Sequence, residues 1–395
     1  MSNTFSPEFS PKKPREIDRD LTLPSGSSVT VIGAGAFGGW SALYLLRAGY
    51  KVTLIDAWGP GNSMASSGGE SRLIRCIYGG NPFYTAMAKR ALDIWQEEQP
   101  KFNRQVFFKT GCLWFANDSC ADILQSAKRI LEDLGMSYDA LSLDDCVEKF
   151  PEINVDDLSE VINEHQAGYL LARESCVEVR DLFVREGGTF IRAHAKMIKD
   201  GIREISSLEL SNGAQVQSDL FLFACGPWLK ALFPEVLQAK LTISRQEVYY
   251  FGIPAGAESM TRLPSWIDHC PPDHYYGVPG GIRRGFKIAF DRRGPEVDPN
   301  TQERVPTTQE IESARAYIAN RFPMMDGAPL LEARVCQYSN TADANFIFDC
   351  HPLLQNVLML GGGSGHGFKH GPALGEVVKD VMTGSRQVPY DLIFS

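Results

Sequence analysis

The apolar positions near the start of the chain predict a strand, a helix and a second strand. Ser28 to Ile32 is a short, β-branched apolar run, and it leads directly into a glycine-rich turn at 33–38. From Gly39 to Gly49 apolar residues recur at helical spacing, and the run KVTLIDA then returns as a buried strand that closes on Asp56. This order of elements indicates an α/β fold that opens on a βαβ unit.

The turn has the glycine spacing of a dinucleotide-binding fingerprint. Gly33 permits the tight turn, Gly35 lets a pyrophosphate approach the backbone, and Gly38 lets the helix pack on the strand. The helix N-terminus then faces the phosphates, and Asp56 is placed to accept hydrogen bonds from an adenosine ribose. The pattern does not separate FAD from NAD, and a glycine-rich turn in some other α/β protein is the alternative.

Two later segments bear on the choice of cofactor. The run NVLMLGGGSGHGFKHGPALGEVV at 356–378 predicts another strand, glycine-rich turn and helix, whose N-terminus would face an electron-rich cofactor. After the opening unit, Arg72 and Arg75 lie three residues apart, which is one face if the segment is helical. Paired arginines are more often a solvated helix face, so these residues alone leave their role open.

Composition narrows the class of protein. The 395 residues exceed the usual single core of about 250 to 300 residues, so two structural units are expected. The net charge of −9 argues against a nucleic-acid partner. Nine cysteines without a CxxC pair favour reduced thiols over a disulfide framework or a zinc ribbon, and no metal site is expected. Residues 1–27 form a polar arm without a signal-peptide core, and no window reaches the length of a membrane span, so we expect a soluble, cytoplasmic protein.

Several segments occur in an order that points to one family. They are GAGAFG, SRLIRCIYG, FACGPW, SRQEVYYF, YYGVPGGIRRGFKIAF, ARVCQYSNTADANFIFD and GGGSGHGFKHGPALGE. From about Ser28 to the C-terminus the chain resembles the monomeric sarcosine oxidase and N-methyltryptophan oxidase group of the D-amino-acid-oxidase-like flavoproteins. The resemblance implies an FAD-dependent oxidase that acts on the C–N bond of a small amine or amino acid, giving an imine that hydrolyses and hydrogen peroxide.

The resemblance also assigns catalytic and substrate-binding roles. It implies covalent attachment of FAD through Cys336, whereas the residue alone would be expected to be a buried apolar cysteine. It implies that Lys287 activates oxygen beside flavin N5, and that Arg72 supports the flavin or the reacting amine. Arg75 and Lys369 correspond to the clamp for a substrate carboxylate.

The remaining site residues are aromatic or lie in the two turns. Tyr276 and Tyr338 match side chains that line the pocket in that group, and Tyr78 is a further candidate; each would otherwise be a core tyrosine. Tyr338 is also expected to take part in catalysis. The other expected cofactor contacts, besides those of the fingerprint, are Ala36, Phe37, Ser66, Ser67, Gly363, Gly365, His366, Gly367, Phe368 and Lys369.

Two positions depart from the group's pattern. Histidines usual in the group are replaced by Ser67 and Gly68 before the SRLIR segment, and by Asp291 four residues after Lys287. The glycine would leave space and the carboxylate would attract a cation, so the substrate is expected to be bulkier than sarcosine, with a second basic group near Asp291. The alternative is that Asp291 only begins a surface turn in DRRGPEVDPN.

The expected architecture is a Rossmann-type, glutathione-reductase-like FAD-binding domain with a second, mixed-sheet α+β substrate domain. Residues 28–105, 150–228 and 338–395 would form the first domain, and 106–149 with 229–337 the second. The substrate is left open among N-methyl amino acids, cyclic imino acids, primary amino acids and glycated amino acids, and a monomer is expected. An NAD-linked dehydrogenase and a flavoprotein subunit without catalysis are the alternatives.

Overall fold

The computed structural model describes residues 20–198, 203–269, 274–280 and 284–393. Most of the polar arm expected at 1–27 lies outside these ranges. The strands are β1 (Ser28–Ile32), β2 (Lys51–Asp56), β3 (Ser71–Ile74), β4 (Phe107–Phe108), β5 (Cys112–Ala116), β6 (Tyr138–Leu141), β7 (Glu160–Glu164), β8 (Gly168–Leu171), β9 (Thr189–Arg192), β10 (Ala195–Ile198), β11 (Ser207–Leu210), β12 (Gln215–Val216), β13 (Leu220–Phe223), β14 (Thr242–Phe251), β15 (Ser265–Asp268), β16 (Tyr275–Val278), β17 (Phe286–Phe290), β18 (Leu330–Asn340), β19 (Ile347–Cys350) and β20 (Val357–Gly361). The helices are α1 (Ala36–Arg47), α2 (Pro82–Glu98), α3 (Ala121–Asp133), α4 (Leu143–Lys149), α5 (Ala172–Arg185), α6 (Leu229–Leu232), α7 (Pro234–Leu237), α8 (Thr308–Arg321) and α9 (Gly371–Met382).

The first large sheet confirms the predicted βαβ unit. Its strand order is β19-β20-β13-β1-β2-β9, and every pair except β19 with β20 is parallel. Strand β13, with the sequence LFLF, is buried at every position, as expected for a central strand of a parallel sheet that is covered on both faces. Helix α1 packs against α9 and α5. The α/β class and the Rossmann-type unit were therefore predicted correctly.

The second large sheet is mixed, as expected. Its order is β18-β14-β17-β16-β15-β5-β7-β6, and only β15 with β5 is parallel among its pairs. Strand β7 lies in this sheet although residues 150–228 were assigned to the cofactor domain. In this part of the chain the second sheet therefore extends through β7, beyond the boundary predicted at residue 150. The division into domains stays a prediction.

Strand β14 pairs with both strands that carry expected catalytic positions, β17 on one edge and β18 on the other. In the register, Cys336 lies opposite Gln246 on β14, and Lys287 of β17 lies opposite Tyr250 of the same strand. Residues 286–289 of β17 are all buried, so the lysine faces packed protein and is not an ordinary exposed side chain. Side chains that alternate along FKIAF therefore point to two covered faces of the sheet. Among the residues that the structure describes, no helix has both the length and the apolar character needed to cross a bilayer.

The opening turn explains why the third glycine is needed. A Cβ at Gly38 would lie 1.9 Å from the Gly33 carbonyl oxygen, and both atoms are fixed by backbone. We predict that Gly38→Ala lowers the unfolding free energy by about 3 kcal/mol or more, because neither atom can move away without distorting the turn. Urea denaturation measures this loss.

The matched control is Gly39→Ala in the same helix. Its Cβ would meet Val179 Cγ1 at 3.4 Å, which is ordinary contact, and alanine favours helix over glycine by about 1 kcal/mol. The Gly39 variant is therefore expected to be as stable as the parent protein or slightly more stable. Equal denaturation midpoints for the two variants would contradict the proposed packing role of Gly38.

Candidate active site

The glycine turn and the start of α1 form a site for an anion. Gly33 has φ +106°, and a Cβ there would lie 2.3 Å from the Ala224 carbonyl oxygen, so the tight turn admits only glycine. Helix α1 begins after Gly35 without a side-chain cap and without an acidic residue in its first turn. Ala36 N donates to Ser67 Oγ at 3.2 Å. The helix N-terminus thus keeps the positive character that binds phosphate groups.

Asp56 ties the end of β2 to this turn. Its Oδ2 accepts from Ala34 N at 2.8 Å, and its Oδ1 accepts from Trp58 N at 2.9 Å and from Gly59 N at 2.7 Å. The carboxylate lines the cavity beside the turn. Three backbone donors therefore fix its orientation, and its contact with a ribose stays a prediction.

A cavity of about 310 Å³ runs along these elements. It is lined by most of the expected cofactor contacts, namely Gly33, Gly35, Ala36, Phe37, Asp56, Ser66, Ser67, Arg72, Gly363, Gly365, Gly367 and Phe368. Gly38 instead packs against the turn, Cys336 lies beside Arg72, and His366 lines a different cavity. The two glycine-rich turns, far apart in sequence, thus meet at one cavity.

Sequence reasoning missed an aromatic group in this cavity. Trp58 lies with its ring centroid 4.8 Å from that of Trp228 and 5.1 Å from that of His194, and all three line the cavity. Flat rings of this kind suit the planar adenine of a dinucleotide. Trp58 follows Asp56 by two positions and Trp228 ends the FACGPW segment, so both signals were present in the sequence, whereas nothing local marked His194.

The Arg72 guanidinium lies at the junction of the turn and the second sheet. Its Nη2 donates to Ser66 O at 2.8 Å and lies 3.6 Å from Cys336 Sγ. The helical spacing considered for Arg72 and Arg75 does not apply, because residues 71–74 form β3, paired with β8, and Arg75 follows its end. The two arginines therefore serve different cavities instead of one helix face.

Lys287 is a buried lysine whose ammonium nitrogen contacts a backbone oxygen. Its side chain is 1% exposed, and its Nζ donates to Ser71 O at 2.9 Å and lies 5.1 Å from the Tyr276 ring centroid. Burial lowers the pKa of Lys287 well below its usual range, and the positive charge of Arg72 lowers it further. Among the described residues no carboxylate lies within 4 Å of its Nζ. An anion that arrives here would favour protonation of Lys287 and would meet no competing carboxylate among these residues.

A second cavity, of about 680 Å³, lies against the first. Tyr338 and Gly365 line both cavities, so the two meet at these residues. Side chains in the second cavity include Arg75, Tyr78, Trp114, His269, Asp291 and His366. Its size is that of a small-molecule site, and its wall combines aromatic rings with a few polar groups.

Arg75 and Lys369 converge on Tyr78. The Arg75 Cζ lies 4.2 Å and the Lys369 Nζ lies 5.0 Å from the Tyr78 ring centroid. Arg75 donates to Ile77 O, and Lys369 donates to His366 O at 3.0 Å. Burial lowers the pKa of Lys369 well below its usual range, with Arg75 adding to the effect. The structure thus brings the two expected clamp residues together, with Lys369 only 3% exposed.

Glu164 of β7, which sequence reasoning missed, supports the Arg75 segment. Its carboxylate accepts from Cys76 N at 2.7 Å, from Ile77 N at 3.3 Å and from Trp114 Nε1 at 2.7 Å. The Trp114 ring in turn lies 5.1 Å from the Arg75 guanidinium. Only the folded chain reveals this support, because nothing near position 164 in the sequence distinguishes it from a surface glutamate.

Tyr276, Tyr338 and Asp291 form a polar row beside the junction of the cavities. The Tyr276 and Tyr338 hydroxyl oxygens lie 3.5 Å apart, and the Tyr338 hydroxyl donates to Asp291 Oδ1 at 3.4 Å. Burial raises the pKa of the Asp291 carboxyl, although Arg75, His274 and Lys369 oppose the rise. Asp291 lines the second cavity, so it does not merely begin a surface turn.

One expectation about cavity space is wrong. Gly68 does not leave room for a larger substrate, because a Cβ at this position would lie 1.9 Å from the Asn62 carbonyl oxygen, and the residue is buried. The glycine is required by the local loop. Neighbouring Ser67 contacts the start of α1 through Ala36 N. Any enlargement of the substrate cavity must therefore come from other positions.

Comparison with known proteins identifies the class that this fold and these cavities define. The family model described as DAO, FAD dependent oxidoreductase, matches residues 28–381. The chain therefore belongs to this family of FAD-dependent oxidoreductases.

Similar curated proteins come from the group that the sequence segments indicated. The chain is 28% identical to monomeric sarcosine oxidase of Bacillus sp. (strain B-0618) over 365 residues, which cover 91% of this chain and 93% of that protein. It is also 28% identical to N-methyl-L-tryptophan oxidase of Salmonella heidelberg (strain SL476) over 363 residues, covering 90% and 94% of the two chains. The predicted resemblance is confirmed.

Solved structures show the same fold at lower identity. L-proline dehydrogenase from P. horikoshii matches with a TM-score of 0.80 at 19% identity, covering 93% of this chain and 96% of the other. Fructosamine oxidase from Aspergillus fumigatus (Amadoriase II), in complex with FSA, matches with a TM-score of 0.78 at 20% identity, covering 94% and 90%. These structures establish the architecture shared with this chain.

The residues present fit the FAD of the family. The α1 N-terminus has neither an acid nor a side-chain cap, and the turn before it has only glycine and alanine at 33–36. Helix α9 also begins without an acidic residue in its first turn. Ala36 and Ser67 would lie at the pyrophosphate, the Trp58 group at the adenine, and Arg72 with Tyr338 at the flavin ring, where the two cavities meet.

A substitution at Gly35 tests whether the turn holds the pyrophosphate of FAD, and it does so without disturbing the fold. Its φ of −75° is open to any residue, and the nearest atom to an added Cβ is Ser67 Oγ at 3.3 Å. We predict that Gly35→Val folds but retains less than about a tenth of the bound flavin, because its methyl groups occupy the space in which the pyrophosphate approaches the backbone. Flavin absorbance per protein, with thermal unfolding as the control for folding, measures this. Full flavin content would contradict the assigned cradle.

Proposed function

We propose that the protein oxidises the C–N bond of a small, N-substituted or secondary amine that carries a carboxylate, with oxygen as the electron acceptor. The observation that carries the proposal is the pair Arg75 and Lys369. Both cations lie against Tyr78, which lines the second cavity together with Arg75, and among the described residues neither has a carboxylate within 4 Å. Such a pair is suited to a substrate carboxylate, since a guanidinium fork and an ammonium group both bind one strongly.

The clamp also sets the orientation of the substrate. A carboxylate held by Arg75 and Lys369 directs the amine end toward Tyr338, at the junction with the first cavity. FAD supplies the two-electron oxidation of the amine to an imine, which water hydrolyses, and oxygen receives the electrons as hydrogen peroxide. The contribution of the protein is to fix the distance between the reacting groups, which is a major source of rate enhancement.

Lys287 is the residue that we assign to oxygen activation. Because burial and Arg72 lower the pKa of its ammonium group, the cation is disfavoured until negative charge appears beside it. Charge that develops on oxygen would restore full protonation of Lys287 and would itself be stabilised. Its hydrogen bond to Ser71 O keeps the Nζ fixed before the charge arrives.

Asp291 gives the substrate a further expected feature. Its carboxylate lines the second cavity, and among the described residues no cation lies within 4 Å of it. A substrate larger than sarcosine, with a second basic group, would pair with this carboxylate while its own carboxylate binds Arg75. This supports amino acids substituted by a cationic chain within the proposed class.

We also propose covalent attachment of FAD through Cys336, and a monomer in the cytoplasm. The Cys336 thiol lies 3.6 Å from the Arg72 guanidinium, and reactive cysteines are found beside such cations. The relative named monomeric sarcosine oxidase aligns over 93% of its length, which supports the monomer. The cysteine pattern supports a reducing compartment.

The substrate class is tested by peroxide release. N-methyl, cyclic and primary amino acids are assayed as substrates, and each is compared with the carboxamide of the same compound. We expect kcat/KM to fall by about tenfold or more for each carboxamide, because the amide cannot form charged pairs with the clamp. Arg75→Leu should reduce the difference, because only Lys369 then remains to pair with the acid, whereas Arg104→Leu, which removes a 61% exposed guanidinium, should leave it unchanged. Equal oxidation of acids and carboxamides would contradict the clamp.

The linkage is tested by acid precipitation of the purified protein. We expect the yellow colour to remain in the pellet for the parent protein and to enter the supernatant for Cys336→Ser, because the hydroxyl cannot replace the thiol as the attached nucleophile. Cys350→Ser, which changes another partly buried cysteine, should behave like the parent. Flavin released from the parent protein would remove the covalent proposal and leave the oxidase proposal standing.

The role of Asp291 is tested with amino acids that differ in one terminal group. Burial raises the pKa of the Asp291 carboxyl, so this group gains its negative charge at a higher pH than an ordinary aspartate does. The KM for a dibasic substrate should therefore fall as pH rises through that pKa. The KM for the analogue whose terminal basic group is replaced by a neutral one should not show this fall. Asp291→Asn should remove the difference, with about a tenfold rise in KM for the dibasic substrate. The same pH profile in both proteins would contradict the pairing.

A further inference from the structure

The Tyr78 side chain is held between two cations and two histidines. Its ring faces Arg75 and Lys369, at 4.2 and 5.0 Å from the ring centroid. Its hydroxyl oxygen lies 3.1 Å from His366 Nδ1 and 2.6 Å from His370 Nε2. Tyr78 is itself buried, so all of these contacts are made in the interior. One side chain therefore connects the histidines to the carboxylate clamp.

The proton positions in this cluster follow from His366. Its Nε2 lies 2.9 Å from Ala344 O, and since a carbonyl oxygen can only accept, Nε2 carries the hydrogen. Burial lowers the pKa of His366 well below its usual range, so the ring is neutral and its Nδ1 is bare. The Tyr78 hydroxyl therefore donates to His366 Nδ1.

His370 must then donate to the Tyr78 oxygen. The histidine is 0% exposed, and its Nδ1 has no hydrogen-bond partner among the described residues. With the hydrogen on Nε2, the ring donates to Tyr78 and buries only a bare Nδ1. The opposite tautomer would bury an unpartnered N–H group, and the single hydroxyl hydrogen of Tyr78 would then face two bare nitrogens, so that one of the two contacts would have no proton. Burial also lowers the pKa of His370 well below its usual range, so both histidines are neutral and each has one defined tautomer.

The two cations need this support because they repel one another. Arg75 contributes to lowering the pKa of Lys369, after burial. Until a carboxylate arrives, the negative face of the Tyr78 ring attracts both cations. Packing against Tyr84 holds the ring in place, and the two hydroxyl hydrogen bonds fix its orientation. Loss of either bond would remove one of the two polar contacts that fix the ring between the cations.

We propose that His366 and His370 are positioning residues which, through Tyr78, hold Arg75 and Lys369 at the spacing that binds the substrate carboxylate. This rests on the proposed function, in which the substrate carries that carboxylate. The histidines act on affinity for the carboxylate and take no part in the oxidation. His370 is the better residue to test, because His366 also lines the second cavity.

The test is the affinity of the purified, FAD-containing protein for benzoate, measured by isothermal titration calorimetry, with benzamide as the uncharged probe. We expect Tyr78→Phe and His370→Leu to weaken benzoate binding by about five- to tenfold, which corresponds to one lost buried hydrogen bond. His370→Gln should stay within about twofold of the parent, because its amide N–H can still donate to Tyr78. Benzamide binding should not change among these variants.

Tyr84→Phe is the control within the same aromatic group. The Tyr84 ring stacks on Tyr78 with centroids 5.5 Å apart, and its hydroxyl accepts from Phe346 N at 2.9 Å. Its removal should lower the melting temperature and leave benzoate affinity unchanged. If Tyr78→Phe and His370→Leu show the same pattern, the cluster serves packing alone and the proposal is overturned.

A failure of the proposed function would give a different result from a failure of the positioning role. If the parent protein binds benzoate no more tightly than benzamide, then Arg75 and Lys369 do not form a carboxylate clamp, and the proposed substrate class fails before any variant is compared. If the parent discriminates but glutamine at 370 gives no better affinity than leucine, the hydrogen bond to Tyr78 is not the cause and the positioning role is rejected.

Discussion

The site depends on keeping three basic side chains in the interior without pairing any of them with a carboxylate of the described residues. Arg75, Lys287 and Lys369 each donate to a backbone carbonyl oxygen, of Ile77, Ser71 and His366 respectively. A carbonyl dipole offsets part of the cost of burying a charge, whereas a carboxylate would occupy the charge permanently. The lowered pKa values of the two lysines are the sign of that remaining cost. The proposed partners of these groups are a substrate carboxylate, for Arg75 and Lys369, and charge that develops on oxygen, for Lys287.

The two large sheets position different parts of the candidate site. The parallel sheet ends at the glycine turn and at Asp56, where the backbone offers donors to phosphate and ribose groups. The mixed sheet carries Lys287 on β17 and Cys336 with Tyr338 on β18, where long antiparallel pairing fixes their spacing. Tyr338 and Gly365 line both cavities, so cofactor and substrate would meet where the sheets do. Membership of the FAD-dependent oxidoreductase family accords with this division.

The sequence was sufficient for features whose cause is local. The glycine spacing at 33–38 requires particular backbone geometry, so the βαβ unit and its cradle could be predicted. Arg75 and Lys369 could be paired only through family resemblance, since nearly 300 residues separate them. Glu164 and His370 were missed because their roles arise from contacts across the fold. Gly68 was misinterpreted for the same kind of reason: the oxygen that excludes a side chain there belongs to Asn62, in a loop whose shape the sequence pattern does not specify.

The central claim is that an amine bound by its carboxylate lies against FAD at the junction of the two cavities. The most direct measurement is the flavin absorption spectrum of the purified protein, recorded without oxygen before and after a carboxylate-bearing secondary amine is added. The account predicts a flavin spectrum that bleaches on addition of the amine and returns when air is admitted. A protein that holds no flavin even after reconstitution with FAD, or whose flavin stays oxidised with every amine of this class, would contradict it.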